Sequence, residues 1–385
     1  MSMKERAISL AVCLAALLLM AACVQSPAQE PAPAAGADSG TEQAAPAEIS
    51  GRCGDPSRLS ERVYFYNWTD YIDPEILTRF EEECGVEVVY DTYASNEDLL
   101  AKLQAGASGY DLIVPSDYMV TTMRELDMLR ELDHANIPNL ANLYPRFTEA
   151  PYDPGNVYSV PYQWGTTGIG YNLDEVGTEP DSWAYLFDPE QAAQYAGRIS
   201  LLNDPRELIG AVLKYLGYSA NSTDPDELEQ AKAVLLAVKP YVATFDSESF
   251  EDLLASGDVV IGHGWSGDYF RVIYENPDMN LGYIIPQEGG IIWTDNLAIP
   301  KTAPNPYTAE VLINYLLDPE IGGMLTNFTY YASPNQAAEP YILDEIKEDP
   351  GIYPAAETLD RMEFLRDLGE GTLLWDRIWT EVKAQ

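Results

Sequence analysis

Four short stretches of the chain set an aromatic side chain close to a carboxylate: "NWTDY" (67–71), "PSDY" (115–118), "GWSGDYF" (264–270) and "IIWTDN" (291–296). The face of an aromatic ring attracts a cation through its quadrupole, about 0.5–2 kcal/mol per ring once water is excluded. A carboxylate gives an ammonium group a charge-assisted hydrogen bond. Methylenes between two ammonium groups would rest on the same rings. Aromatic walls with separated carboxylates therefore suit a linear polycation such as a diamine or triamine. An amino acid would also need an arginine or a bare helix N-terminus for its carboxylate, and these stretches contain no obvious arginine.

Signals for other chemistry are sparse. The 2 histidines, His134 and His263, stand in unrelated contexts, and no CxxC, HExxH, phosphate-binding loop or nucleophile elbow occurs. The sequence asks for no metal and no cofactor. The 385 residues carry 22 Lys+Arg against 62 Asp+Glu, a formal net charge of −40. A chain this acidic turns away nucleic acid and anionic membrane surfaces, and its natural small partners are cations, although most of the excess is a solvated surface.

The elements that must position these stretches alternate. A strand over 62–67 leads to a helix from Pro74 to Glu83, with Asp73 as N-cap and Pro74 at its first position. A strand over 86–90 follows, then a helix opening at Ser95 and ended by Gly106. The third strand is "YDLIVPS" (110–116), followed by a helix in "YMVTTMRELDML" (118–129). A second unit begins near 168, with a strand over 198–202, helices over 205–217, 226–239 and 248–256, and a strand in "DVVIGHGW". "LGYIIP" and "EGGIIWTDNLAIP" then lead to one long amphipathic helix, "TAEVLINYLLDPEIGGML" (308–325). Such alternation predicts an α/β fold with a parallel sheet and helices on both faces. In open α/β sheets ligands sit beyond the carboxyl ends of the strands. Trp68, Thr69, Asp70, Tyr71, Ser116, Tyr118, Asp204, Trp265 and Asp268 all fall at such ends.

The N-terminus reads as a targeting segment over residues 1–22: Lys4 and Arg6, an apolar run from Ile8 to Met20, then "LMAAC". This resembles a bacterial lipobox, which would make Cys23 the lipidated first residue of an exported protein. The competing reading is an ordinary secretory signal with an incidental cysteine. Residues 23–58 read as a flexible tether, rich in Ala, Pro, Ser and Gly. Cys53 before the first strand and Cys84 at the end of the first helix would meet at one sheet edge, where an oxidising compartment permits a disulfide.

Taken in order, "YFYNWTDYI", "YDLIVPSDY", "PYQWGTTGIGYN", "LGYSANSTDP", "EGGIIWTDNLAIP", "NYLLDPE" and "EDPGIYP" resemble the spermidine/putrescine-binding proteins of bacterial ABC importers. The resemblance spans roughly Arg62 to Gln385. It implies a type II periplasmic binding protein fold of two lobes, with two chain crossings at the hinge and ligand in the cleft. Crossings are expected near Trp164–Tyr171 and Trp293–Pro300. The lobes would be 59–166 with 295–340, and 167–294 with 341–385. The resemblance further implies an aromatic box of Trp68, Trp265 and Trp293, with Tyr331 packing on the ligand. Thr69, Asp70, Tyr71, Ser116 and Tyr118 match its loops, and Asp295 matches the grip on an inner amine. Asp204 and Glu207 match the pair that holds the far amine of spermidine, although Asp204–Pro205–Arg206–Glu207 is also a capping box. Asp268 matches an acid typical of putrescine binders, and Leu365 stands where some spermidine binders use a glutamine. The chain thus mixes two patterns.

The function implied is a non-enzymatic polyamine carrier, monomeric and lipid-anchored. It would deliver putrescine or spermidine to a permease with ATPase subunits. The alternatives are a ferric-ion binder using Tyr330 and Tyr331, a polyamine-sensing receptor, and an exported enzyme.

Overall fold

Capping chemistry sets the starts of the main helices. The computed structural model describes residues 51–106 and 109–384; the targeting segment, Cys23 and the tether up to residue 50 lie outside them. Strand β1 (Arg62–Trp68) leads to helix α1 (Pro74–Cys84), where the Asp73 side chain accepts from Glu75 N and Gly85 closes the helix in the left-handed conformation. Strand β2 (Glu87–Tyr93) is followed by α2 (Asn96–Gln104), capped by the Ser95 hydroxyl on Asp98 N. Strand β3 is only Leu112–Ile113, and α3 (Asp117–Glu125) follows it. The expected third strand is cut short because the Val114 carbonyl accepts from Trp68 Nε1 and the Tyr93 hydroxyl, and Pro115 has no N–H to offer the ladder.

The chain then runs through a long strand, β4 (Ser159–Asn172). After it come β5 (Ile199–Leu201), α4 (Pro205–Tyr215), α5 (Pro225–Val238), β6 (Val242–Phe245) and α6 (Phe250–Ser256). β7 (Ile261–Trp265), α7 (Ser266–Glu275), β8 (Leu281–Ile284) and β9 (Ile291–Ala298) follow. α8 (Pro306–Leu316), α9 (Pro319–Thr329), β10 (Glu363–Phe364) and α10 (Thr372–Ala384) complete the elements that matter here.

The sheet is mixed rather than wholly parallel. Its order is β2-β1-β3-β9-β4-β7-β5-β6, with β10 on β9 and β8 on β4. Two parallel blocks, β2-β1-β3 and β7-β5-β6, match the alternation read from the sequence. Between them β4 and β9 run antiparallel to each other, and each pairs antiparallel with its neighbouring block. Thr167 is the switch point: it pairs with Ile291 of β9 and with Trp265 of β7. Two apolar cores correspond to the two blocks. Phe65, Phe80, Leu112 and Leu312 belong to one, and Ile199, Leu208, Leu235 and Trp375 to the other. β4 and β9 carry the chain between them, at the two expected crossings.

Two expectations are corrected. The single long amphipathic helix over 308–325 is two helices, because Asp318 caps a new start with Pro319 at its first position. α8 is also buried along nearly its whole length, so it lacks the polar face of a surface helix. The tether does not extend to residue 58. Cys53 is fully buried in a disulfide with Cys84, Arg52 reaches Asp318 and Glu320 at 3.0 and 2.9 Å, and Asp55 N donates to the Tyr307 hydroxyl. Cross-linking thus folds a segment whose composition reads as linker.

Candidate functional site

All thirteen residues expected at the ligand site line one cavity: Trp68, Thr69, Asp70, Tyr71, Ser116, Tyr118, Asp204, Glu207, Trp265, Asp268, Trp293, Asp295 and Tyr331. Leu365 lines it as well.

Two of the rings, Trp68 and Trp265, are set by strand ends. Trp68 ends β1, its Nε1 held by the Val114 carbonyl at 2.9 Å. Its ring meets Trp265, the last residue of β7, edge to face with centroids 5.8 Å apart. Trp293 lies on β9, 5.1 Å from Tyr331, which is itself 5.1 Å from Tyr71. Tyr331 is delivered by a bridge in which Trp164 and Ala332 exchange both backbone hydrogen bonds at 3.1 Å. Two glycines make room for it. A Cβ on Gly165 would come within 2.8 Å of Trp293 and 2.9 Å of Tyr331, and one on Gly267 within 2.5 Å of Tyr331.

The carboxylates fall into three groups. In the middle, Asp295 Oδ1 accepts from Ser116 Oγ at 2.5 Å, and Asn96 Nδ2 donates to the same hydroxyl at 2.9 Å. Ser116 sits at the cap of α3 yet makes no side-chain cap bond, so its hydroxyl serves Asp295 instead. Burial pushes the Asp295 carboxyl up to about 7. At one end, Asp204 caps α4 by accepting from the amides of Arg206 and Glu207. Glu207 Oε2 is buried with no hydrogen-bond partner. Burial, then the adjacent Asp204 charge, pushes the Glu207 carboxyl well above the usual range. The capping-box residues therefore divide their work: Asp204 caps, and Glu207 is left open to the cavity. Tyr118 donates to Glu97 at this end, with the Arg206 guanidinium 4.8 Å from its ring centre.

At the other end, Asp268 Oδ2 accepts from the Tyr331 hydroxyl at 2.7 Å, and burial raises its carboxyl to about 7. Asp70 is half exposed, and its φ of 52° is left-handed, a conformation aspartate tolerates better than most residues. The Thr69 hydroxyl is buried without a partner. Tyr330 and Tyr331 part company: Tyr330 stacks on Tyr274 at 5.0 Å while Tyr331 lines the cavity. The adjacent phenols therefore do not face a common point. His263 is a buried strand residue against Trp183, and burial lowers its ring to about 3.

Sequence reasoning missed Tyr93, Asn96, Ser247, Glu248, Phe250 and Glu251, which also line the cavity. "SESFED" (247–252) carries the same aromatic–acid pairing as the four stretches above and was legible on that ground. Asn96 acts through Ser116 and leaves no mark in the sequence. Seven carboxylates line the cavity, from Asp70, Asp204, Glu207, Glu248, Glu251, Asp268 and Asp295, and no lysine or arginine among the described residues does. Such a wall suits an organic cation, with rings placed to face its methylenes.

Residues 75–355 match the family model of bacterial extracellular solute-binding proteins. The chain is 39% identical over 334 residues to the putrescine/cadaverine-binding protein of Pseudomonas aeruginosa, covering 85% of this chain and 94% of that one. It is 40% identical over 324 residues to the spermidine/putrescine-binding periplasmic protein of Escherichia coli, covering 84% and 91%. A solved structure described as a spermidine/putrescine ABC transporter from Listeria monocytogenes superposes with a TM-score of 0.80 at 36% identity, over 84% of this chain and 99% of that one.

Proposed function

Because the chain belongs to the bacterial extracellular solute-binding proteins, we propose that its cavity captures putrescine or spermidine and that the protein hands this cargo to an ABC importer. The observation that carries this reading is the cavity wall itself, with seven carboxylates, three tryptophans and, among the described residues, no lysine or arginine. A ligand bearing a carboxylate of its own would meet only like charge there. A linear polyamine places ammonium groups against the acids and methylenes against the rings of Trp68, Trp265 and Trp293.

Asp295 grips an inner amine, oriented by Ser116 and Asn96. Asp268 and Asp70 take one end, and Glu207 takes the other. The lobes, 59–166 with 295–340 and 167–294 with 341–385, close around the ligand by turning at β4 and β9. Closure needs only that the ligand bind the closed state better than the open one. Near-equal identity to a putrescine/cadaverine binder and to a spermidine/putrescine binder fits the mixed pattern at Asp268 and Leu365. The carrier works outside the cytoplasmic membrane as a monomer, tethered through lipidated Cys23, with a permease and ATPase subunits as partners. It performs no turnover.

Calorimetric titration with putrescine, cadaverine, spermidine and spermine tests the reading. Saturable one-to-one binding of putrescine and spermidine is expected, with a modest lean toward putrescine. Absence of heat with all four would refute it.

A further inference from the structure

We propose that Glu251 is a further specificity-determining residue of the cavity, forming with Asp268 a two-carboxylate subsite for one terminal ammonium of a diamine. The inference rests on the polyamine reading above and adds a residue that the aromatic–acid stretches and the family resemblance both leave out.

Glu251 stands in the first turn of α6, lines the cavity and is 2% exposed. Its Oε1 accepts from Arg271 Nη2 at 2.6 Å. Its Oε2 is buried with no hydrogen-bond partner, and so is Arg271 Nε. A glutamate kept only to hold an arginine has every reason to use both oxygens, since the planar fork of guanidinium matches a carboxylate bidentately. This pair is joined through one oxygen. The other is left unsatisfied in a cavity wall, where a buried lone pair is costly unless something donates to it.

The local charge points the same way. Arg271 on α7 does not line the cavity. Besides Glu251, it lies 3.7 Å from Asp70, 4.0 Å from Asp252 and 3.8 Å from Glu275. One guanidinium is thus divided among several carboxylates. Asp268, whose charge also acts on Glu251, has the Tyr331 hydroxyl as donor and feels the same Arg271 charge, but makes no salt bridge of its own among the described residues. This end of the cavity is short of positive charge. An ammonium group, with three donors, can satisfy Glu251 Oε2 and Asp268 together. The methylene beside it would then face Trp265, whose ring lies between those of Phe250 and Trp68 at 5.7 and 5.8 Å. A hydroxyl in the same place brings one donor and no charge, so the subsite discriminates by charge at the ligand terminus.

The test compares putrescine with aminobutanol, its analogue in which a hydroxyl replaces one ammonium, on the exported protein before and after Glu251→Gln. Putrescine should lose about tenfold or more in affinity, as expected of one charge-assisted bond. Aminobutanol, free to turn its hydroxyl toward position 251, should lose less than about threefold, so the ratio of dissociation constants falls. Equal losses for the two ligands would assign Glu251 a merely structural role and overturn the proposal, as would no loss at all. Should Glu251→Gln fail to fold, Arg271→Gln reads the same ratio in the opposite direction. With the internal cation gone, only the ligand neutralises Glu251 and Asp268, so the preference for putrescine should rise; an unchanged ratio overturns the proposal. A wild-type protein that binds no diamine would instead strike the polyamine reading itself, and this inference with it.

Discussion

Removing the Asp295 carboxylate should weaken putrescine binding by about 1.5–3 kcal/mol, because a buried charge-assisted bond is lost. Ser116 and Asn96 hold that carboxylate in place from elements that the rest of the fold fixes. Titration of Asp295→Ala checks this, and wild-type affinity would sink the assignment. Trp293→Ala should also weaken binding, since it removes a ring and the support of Tyr331 at 5.1 Å. At Asp268 the consequence is selectivity. A ligand that leaves this buried acid unpaired is penalised by several kcal/mol of lost hydration. Asp268→Ser should therefore weaken putrescine more than spermidine, and an unchanged ratio of dissociation constants would remove Asp268 from the discriminating part of the cavity. These residues were legible because each lies in a stretch that pairs an aromatic with an acid, Asp268 just beyond the end of β7 and Trp293 with Asp295 inside β9. Asn96 was not, because it works through a neighbour's hydroxyl; Glu251 shares the aromatic–acid pairing of "SESFED" but stands in the first turn of a helix rather than at a strand end.

Among the elements, the parallel blocks could be read from alternation, whereas the antiparallel β4–β9 seam could not. "SVPYQWGTTGIGYN" is buried along nearly all of its length and shows no period of two to mark its partners. The break between α8 and α9 was available in Asp318–Pro319, and the apolar run across it concealed that signal. Gly165 on β4 faces Trp293 on β9 across the pair. A methyl group there would meet both Trp293 and Tyr331 under 3 Å. Gly165→Ala should cost about 1–3 kcal/mol of stability through overpacking and loosen polyamine binding as the rings shift. Thermal unfolding and titration of the same sample check both. The Cys53–Cys84 disulfide ties the N-terminal turn to the end of α1, and neither cysteine lines the cavity. Cys53→Ser with Cys84→Ser should lower stability by about 3 kcal/mol while leaving the dissociation constant for putrescine unchanged.

For the whole molecule, the net charge of −40 is mainly surface, and the part that matters is concentrated in the cavity. Burial raises Asp268 and Asp295 to about 7 and Glu251 to about 8. Each holds its proton more tightly folded than unfolded. Their contribution to the stability of the ligand-free protein is therefore fully present below the unfolded carboxyl range of about 4 and is lost progressively as pH rises from there through the folded values of about 7 to about 8. Ammonium groups favour the ionised acids and themselves stay charged to about pH 10. Putrescine should thus bind more tightly as pH rises through the same window, with protons released on binding. Calorimetry in buffers of different ionisation enthalpy checks this, and a flat profile would contradict it.

The central claim is that the cavity accepts organic cations and rejects a carboxylate. Ornithine is putrescine with one carboxylate added, so titrating the exported protein with each in turn isolates that single group. Saturable binding of putrescine and no detectable heat with ornithine is the expected result. Ornithine binding within about tenfold of putrescine would contradict the account.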